Sequence, residues 1–180
     1  MKKTFISAAI LASSAIVMAP AAHAADGTIT FAGNVSAQTC TVTGGAGSDF
    51  TVTLPPVSAK TLETAGAVAG RTAFQLKLTG CAQDTGKVST YFESGPTTNQ
   101  ATGNLILDKG DGNATNVEIG LLNNDTTAIK AGAAYGAQNE QYVSIAGGAA
   151  TLGYFAEYHS LGSATAGKAA TRVSYTLAYQ

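Results

Sequence analysis

Short runs in which apolar and polar residues alternate recur along the whole chain, whereas helical periodicity is almost absent. Residues 74–79, for example, read Phe-Gln-Leu-Lys-Leu-Thr. Such alternation places the apolar side chains on one face of a β-strand and the polar ones on the other. Glycine, asparagine, aspartate and proline separate the runs, as turns require. The pattern therefore predicts an all-β sandwich.

The predicted strands are short runs enriched in threonine, valine, tyrosine and phenylalanine. They cover residues 28–36, 39–43, 50–54, 72–79, 87–93, 104–107, 116–122, 142–145, 151–158 and 171–179. Pro55 and Pro56 end the third run, because proline has no amide hydrogen to donate to a neighbouring strand. A single helical turn is expected within residues 60–66.

The first 24 residues have the pattern of a secretory signal peptide. Lys2 and Lys3 precede an apolar run from residue 5 to 19, and Ala22 and Ala24 occupy the small-residue positions before a cleavage site. The run is shorter than the roughly 20 residues of a membrane-spanning helix. We expect cleavage after Ala24 and export of residues 25–180 without stable insertion into a membrane.

The charge of residues 25–180 argues against nucleic acid as a partner. Removing Lys2 and Lys3 from the ten basic residues leaves eight, against eleven acidic ones, for a net charge of −3. No basic cluster is present that would hold phosphates. We expect no nucleic-acid binding.

Cys40 and Cys81 are the two cysteines of the chain. In an exported domain an even number of cysteines favours a disulfide, and a loop of this length would stabilise the fold by ~4 kcal/mol. Metal ligation would require about four clustered ligands. His159 is the one histidine that remains after cleavage, so we predict a disulfide and no metal site.

The segment before Cys40 alternates like a strand with one apolar face. Ile29, Phe31, Gly33 and Val35 fall on that face, and residues 28, 30, 32, 34 and 36 fall on the other. Gly33 interrupts the apolar row, which indicates a close backbone approach or a shallow pocket. Two interpretations stay open at this point: a strand that fills a groove elsewhere, or the first strand of this domain's own sandwich.

The last residues also alternate, with Val173, Tyr175, Leu177 and Tyr179 on one face. This predicts a buried strand directly before Gln180. An apolar strand at an unprotected sheet edge invites pairing with another chain, and proteins normally avoid such exposure. Here the exposed edge is interpreted as functional.

At these residues the sequence resembles the type 1 fimbrial subunit family, the pilins of the chaperone and usher pathway. The matching pieces are residues 27–35 (Gly-Thr-Ile-Thr-Phe-Ala-Gly-Asn-Val), Cys40, 74–81 (Phe-Gln-Leu-Lys-Leu-Thr-Gly-Cys), 116–122 (Asn-Val-Glu-Ile-Gly-Leu-Leu), 153–158 (Gly-Tyr-Phe-Ala-Glu-Tyr) and Tyr179. Each piece alone is weak, but their order makes the combination specific.

The resemblance implies an incomplete immunoglobulin-like sandwich that lacks its final strand and is completed by a donor strand from a neighbouring subunit. The donor residues would be Ile29, Phe31, Gly33 and Val35 in an extension at 25–37. Val173, Tyr175, Leu177 and Tyr179 would line or flank the acceptor groove of a pilin domain at 38–180. The implied partners are identical or related pilin subunits, a periplasmic chaperone and an outer-membrane usher, and the implied location is an extracellular fimbria.

Other functions are weighed against a structural subunit that supports surface adhesion. A minor adaptor or a carbohydrate-binding fimbrial subunit of the same fold is the main alternative, with Tyr154, Phe155, Tyr158 and His159 as a candidate sugar surface. An enzyme is not expected, because His159 is accompanied by no nucleophile motif and by no further histidine. No cofactor is implied.

Overall fold

The computed structural model describes residues 29, 30, 32, 35, 39–43 and 48–180. The chain divides after Asn34 into a leading unit and a body. Of the leading unit, Ile29, Thr30 and Ala32 are described, and all three are exposed. The predicted signal peptide lies outside the described residues, as does most of the predicted strand at 28–36.

The body is an all-β sandwich of two sheets. Its strands are β1 (Thr41–Val42), β2 (Val68–Thr79), β3 (Lys87–Phe92), β4 (Leu105–Ile106), β5 (Val117–Asn123), β6 (Ala128–Ile129), β7 (Val143–Ser144), β8 (Ala150–Ser160) and β9 (Tyr175–Tyr179). A single 3-10 turn spans Ala59–Leu62. The predicted fold class is confirmed.

The larger sheet has the order β1-β2-β8-β5-β4, and β6 also pairs with β5. Its centre is the long antiparallel pair of β2 and β8, which aligns Leu76 with Leu152 and Phe74 with Tyr154. The smaller sheet has the order β7-β3-β9, again antiparallel. Among the described strands, β9 pairs with β3 alone, so it is an edge strand of this sheet.

The core lies between the two sheets and is built from the alternating apolar positions of their strands. Leu76, Leu78 and Leu152 of the larger sheet are each 1% exposed, and Val88 of the smaller sheet is fully buried. Burying side chains of this size stabilises by about 1.5–3 kcal/mol each. The alternation seen in the sequence thus has its expected physical cause.

The disulfide between Cys40 and Cys81 is present. It joins the residue before β1 to the segment that follows β2, so it reinforces the pairing of these two strands. The Cys40 amide also donates a hydrogen bond to the Tyr179 hydroxyl, with 3.2 Å between nitrogen and oxygen. Beside the disulfide, the end of β9 is tied to the start of β1.

Two predicted strands differ from the structure in an informative way. The predicted strand at 50–54 is wrong, because this segment joins no sheet. The predicted last strand at 171–179 is shorter than expected, since its ladder begins at Tyr175. Both segments border the same cavity, and among the described residues no strand lies between them.

Candidate functional site: an apolar groove beside the last strand

A cavity of about 980 Å³ opens between the two sheets. Its floor is made of core side chains from both sheets. Among them are Leu76, Phe92, Leu105, Ile119, Leu121 and Ala156. One wall is the stretch from residue 169 to 177, and the other is the segment 48–54, which we call the free wall. The cavity thus lies directly against the core of the sandwich on one side.

The backbone of β9 is directed toward this cavity at every second residue. Lys87 and Gln180 exchange both of their hydrogen bonds at 2.9 Å, and Glu93 donates to Ser174 at 2.8 Å. In an antiparallel pair such bonded positions alternate with unbonded ones. Tyr175, Leu177 and Tyr179 therefore direct their N–H and C=O groups away from β3. We call these backbone groups the open edge.

The free wall is unpaired as well. Among the described residues, none forms a backbone hydrogen bond with residues 50–57. Residues 50–57 are exposed or half-buried, so their backbone groups are accessible to a further strand. A strand lying in the cavity would therefore find unpaired backbone groups on both sides, together with an apolar floor beneath it.

Tyr175 connects the two walls. Its hydroxyl donates a hydrogen bond to the carbonyl oxygen of Ser48, at 2.7 Å. Burial raises the pKa of this hydroxyl, and the nearby charge of Asp49 raises the pKa further. The phenol therefore stays protonated, and able to donate, throughout the physiological pH range.

The groove offers little chemistry beyond apolar contact and backbone pairing. Asp49 and Arg172 are the charged residues among those that line it. The Arg172 guanidinium is paired with the Asp108 carboxylate at 3.0 and 3.1 Å. In the part of the chain that the structure describes, no three histidine, cysteine or acidic side chains lie together as a metal site would require.

The structure brings most of the predicted acceptor residues together. Val173, Tyr175 and Leu177 line the cavity, whereas Tyr179 lies beyond its end, beside Cys40. Among the predicted donor residues, Ile29 is 79% and Val35 is 98% exposed. Phe31 and Gly33 lie outside the described residues. No side chain of the structure tests the donor role itself.

The candidate sugar surface is divided between two faces of β8. Tyr154 is 4% exposed and packs its ring against Phe74 and Phe92, with 5.5 Å between centroids in both pairs. Tyr158 lines the groove. Phe155 and His159 alternate with these two residues and so lie on the opposite face of the strand. The four side chains do not form one surface.

Two buried carboxylates on the outer face of the larger sheet were not singled out from the sequence. Glu157 accepts hydrogen bonds from Arg71 at 2.6 Å and from His159 at 3.0 Å. Glu118 accepts from neighbouring amide and hydroxyl groups, including Thr102 at 2.9 Å. The Glu118 contacts hold the loop around residue 102 onto the sheet. The alternation of strands β5 and β8 is the sequence signal that places both carboxylates on that face.

The opposite side of β3 is closed by the side chain of Gln138, which is fully buried. Its amide accepts a hydrogen bond from the Phe92 N–H at 3.0 Å and donates to the Phe92 carbonyl at 2.7 Å. The Gly132 amide donates to the same carbonyl at 3.1 Å. We call this arrangement the capped edge, because a side chain occupies the place of a neighbouring strand beyond the end of β7.

Within the described ranges, no helix has the length and apolar character needed to cross a membrane.

Comparison with known proteins gives a consistent family assignment. The family model described as FimA, Type-1 fimbrial protein, A, matches residues 54–180. The chain is 48% identical to the major fimbrial subunit SMF-1 of Stenotrophomonas maltophilia (strain K279a) over 88% of this chain and 95% of that protein. It is also 44% identical to the F17 fimbrial protein of Escherichia coli over 95% and 97% of the two chains.

Solved structures with the same fold are pilus proteins. The P pilus rod subunit PapA superposes with a TM-score of 0.57 at 20% identity, covering 78% of this chain and 99% of PapA. A subunit from a chaperone-usher pilus studied for rod uncoiling gives 0.53 at 22% identity, covering 90% and 100%. At these identities the likeness establishes the fold, and the sequence relatives establish the family. The chain belongs to the type-1 fimbrial protein family and is a structural fimbrial subunit.

Proposed function

We propose that this protein is the major shaft subunit of a chaperone-usher fimbria and that it polymerises by donor-strand exchange. The observation that carries the proposal is the cavity of about 980 Å³ with unpaired backbone on both of its long sides. A sandwich with this vacancy accommodates one more strand. Donor-strand complementation in pilins is a known form of β-strand addition.

The predicted donor segment is short enough to fit within the length of the groove. Its four apolar positions run from residue 29 to residue 35, which in an extended strand covers roughly 20 Å at about 3.4 Å per residue. The wall from residue 169 to 177 covers roughly 27 Å by the same measure. Ile29, Phe31 and Val35 would contact the floor, and Gly33 would sit where the floor approaches the donor backbone most closely.

The energetics favour a non-covalent fibre. Burying three large apolar side chains at ~2 kcal/mol each gives roughly 6 kcal/mol per junction before ordering costs, to which the backbone ladder adds. Donor and groove are different parts of the molecule, so the contact is heterologous and propagates as an open helical filament. Each subunit thereby completes its neighbour.

The proposed assembly route begins with export. The signal peptide at 1–24 directs the chain to the periplasm, where a chaperone lends a strand to the groove of the pilin domain at 38–180. At the outer-membrane usher, the extension at 25–37 of the next subunit replaces that strand. The product is an extracellular fimbria that supports adhesion, with no enzymatic step and no cofactor.

The subunit could form the shaft of the fibre or act as a minor adaptor. A relative that is 48% identical carries the name major fimbrial subunit, which favours the shaft over a minor adaptor. Quantitative mass spectrometry of isolated fimbriae separates these roles. Hundreds of copies per fibre support the shaft assignment, and a stoichiometry near one copy assigns an adaptor.

The donor role is tested by placing one charge on either face of the same segment. Phe31→Asp puts a carboxylate among the apolar side chains that enter the groove, and we expect it to abolish fibre formation. Thr30→Asp puts the same charge on the opposite face and serves as the matched control, with fibres expected. The measurement is electron microscopy of cells together with a denaturing gel of unboiled fimbriae, in which intact polymers run as a ladder.

Fibres of normal length and heat resistance from Phe31→Asp would contradict the donor assignment. Deletion of residues 26–35 gives an independent check, since the truncated subunit should accumulate in the periplasm as a chaperone-bound monomer.

A further inference from the structure

The free wall has a single polar attachment to the rest of the groove among the described residues. Residues 50–57 make no backbone hydrogen bond to any described residue. The carbonyl oxygen of Ser48 accepts a hydrogen bond from the Tyr175 hydroxyl at 2.7 Å. The Tyr175 side chain thus extends from β9 across the groove to the free wall.

We propose that Tyr175 is a positioning residue that holds the free wall at the separation a donor strand requires, and so sets the rate of strand capture. The inference rests on the proposed function, because it assigns Tyr175 a role in donor-strand entry. It concerns the hydroxyl group, whereas the ring of Tyr175 belongs to the apolar lining.

Apolar contacts also hold the free wall, since Phe50 and Leu54 pack against the core. Phe50 packs against Phe74, with 6.2 Å between ring centroids, and this contact presses the wall onto the floor. Apolar packing of this kind is not directional. The hydrogen bond from Tyr175 to Ser48 is directional and spans the width of the groove, so it is the contact that sets the spacing.

Pre-organisation explains why spacing affects capture. A wall that must be ordered as the donor enters loses backbone entropy at that moment, and this loss weakens and slows binding. A wall already held in place has undergone that loss during folding. Because of the Tyr175 hydroxyl, the entropy cost of ordering the free wall therefore falls in folding and not in assembly.

The chain supplies a matched pair of substitutions. Tyr175→Phe removes the hydroxyl that crosses the groove and keeps the ring. Tyr179→Phe removes a hydroxyl from the same strand that lies beyond the groove and accepts from the Cys40 amide at 3.2 Å. Each variant loses one hydrogen bond, which is exposed for Tyr175 and part-buried for Tyr179. Tyr179→Phe should therefore lose at least as much overall stability as Tyr175→Phe.

The experiment measures capture of a fluorescent synthetic peptide with the sequence of residues 25–37 by the purified monomeric chain 25–180. We expect Tyr175→Phe to capture the peptide roughly two- to tenfold more slowly than wild type, the range that one net hydrogen bond allows. Tyr179→Phe should match wild type. Backbone ¹⁵N order parameters at residues 49–54 should fall in Tyr175→Phe, a local change that a general loss of stability would not confine to this segment.

Capture by Tyr175→Phe at the wild-type rate, or faster, overturns the inference while leaving the proposed function intact. Equal slowing in both tyrosine variants also overturns it, because the effect would then follow stability. Failure of the wild-type chain to capture the peptide at all is a different result, and it overturns the proposed function itself.

Discussion

The two sides of the smaller sheet treat their unpaired backbone in opposite ways. On the capped edge, the buried amide of Gln138 satisfies both backbone groups of Phe92. On the open edge, the described residues offer no partner to the corresponding groups of Tyr175, Leu177 and Tyr179. Exposed edges invite pairing with other chains, and proteins normally protect them. In the proposed assembly, protection of the capped edge would direct strand addition to the open edge.

The largest loss of stability is expected from removing the Cys40–Cys81 disulfide, which lies beside the end of the open edge. Cys40→Ser or Cys81→Ser should lower the free energy of unfolding by ~4 kcal/mol, because the unfolded chain gains the freedom of a long loop. Denaturant unfolding of the purified variants measures the loss, with reduced wild type as the control. Unchanged stability in both variants would show that the disulfide does not restrain this end of the fold.

Breaking the capped edge should have the next largest effect. Gln138→Leu replaces the amide with an apolar side chain of similar size and leaves the Phe92 N–H without its partner. We expect the free energy of unfolding to fall by roughly 3 kcal/mol and aggregation to increase. The matched control is Gln141→Leu on the same loop, where the lost hydrogen bond goes to the exposed Asp125 carboxylate. Size-exclusion chromatography and urea unfolding report both effects. A monomeric, stable Gln138→Leu variant would refute the protective role of this amide.

Alkaline pH should weaken the groove region. Burial raises the pKa of Tyr154, although its contacts with Thr90 partly oppose that shift. Because the folded pKa lies above the unfolded value near 10, the contribution of this phenol is complete below pH 10. It is lost as the pH rises through the folded pKa, by up to about 1.4 kcal/mol per pH unit. Unfolding measured from pH 8 to 12 tests this, and Tyr154→Phe should flatten that part of the profile.

The smallest effect is expected on the loop over the capped edge. The pKa of Asp125 is lowered, first by the Thr127 hydroxyl and then by the Thr127 amide, which both donate to its carboxylate. Its contribution is present above the unfolded pKa of 3.8 and is lost as the pH falls through the lower folded pKa. Carboxyl NMR titration should show the shift, and Thr127→Ala should reduce it. An unchanged titration in Thr127→Ala would assign the shift to another cause.

Much of the sandwich is predictable because the alternation of apolar and polar residues can be seen within a single strand. The alternation at 74–79 specifies the buried face of β2, and two cysteines in an exported chain specify the disulfide. The capped edge has no such signal, because Gln138 is an ordinary polar residue until tertiary folding places its amide beside Phe92. The predicted strand at 50–54 failed for a related reason. Its residues suit a strand, but the strand it would pair with is absent from the structure.

The groove was predictable in part. The alternation from Val173 to Tyr179 indicated an apolar last strand, and the resemblance to pilins suggested that the strand borders a vacancy. The floor residues Leu76, Ile119 and Ala156 come from strands β2, β5 and β8, which are far apart in sequence, so no local pattern groups them. The contact between Tyr175 and Ser48 joins residues 127 positions apart and is visible only in three dimensions.

In β9 the direction of the side chains and the direction of the backbone groups alternate together, and this limits how the protein can evolve. Tyr175 and Leu177 present apolar side chains to the groove and also turn their backbone groups toward the open edge. A deletion or insertion of one residue inside the strand would reverse both properties at once. Exchanges of one apolar residue for another leave the register intact. Variants of this subunit should therefore diversify by substitution near their last strand and accept changes in length in surface loops such as the turn around Gly110, where foreign epitopes could also be displayed.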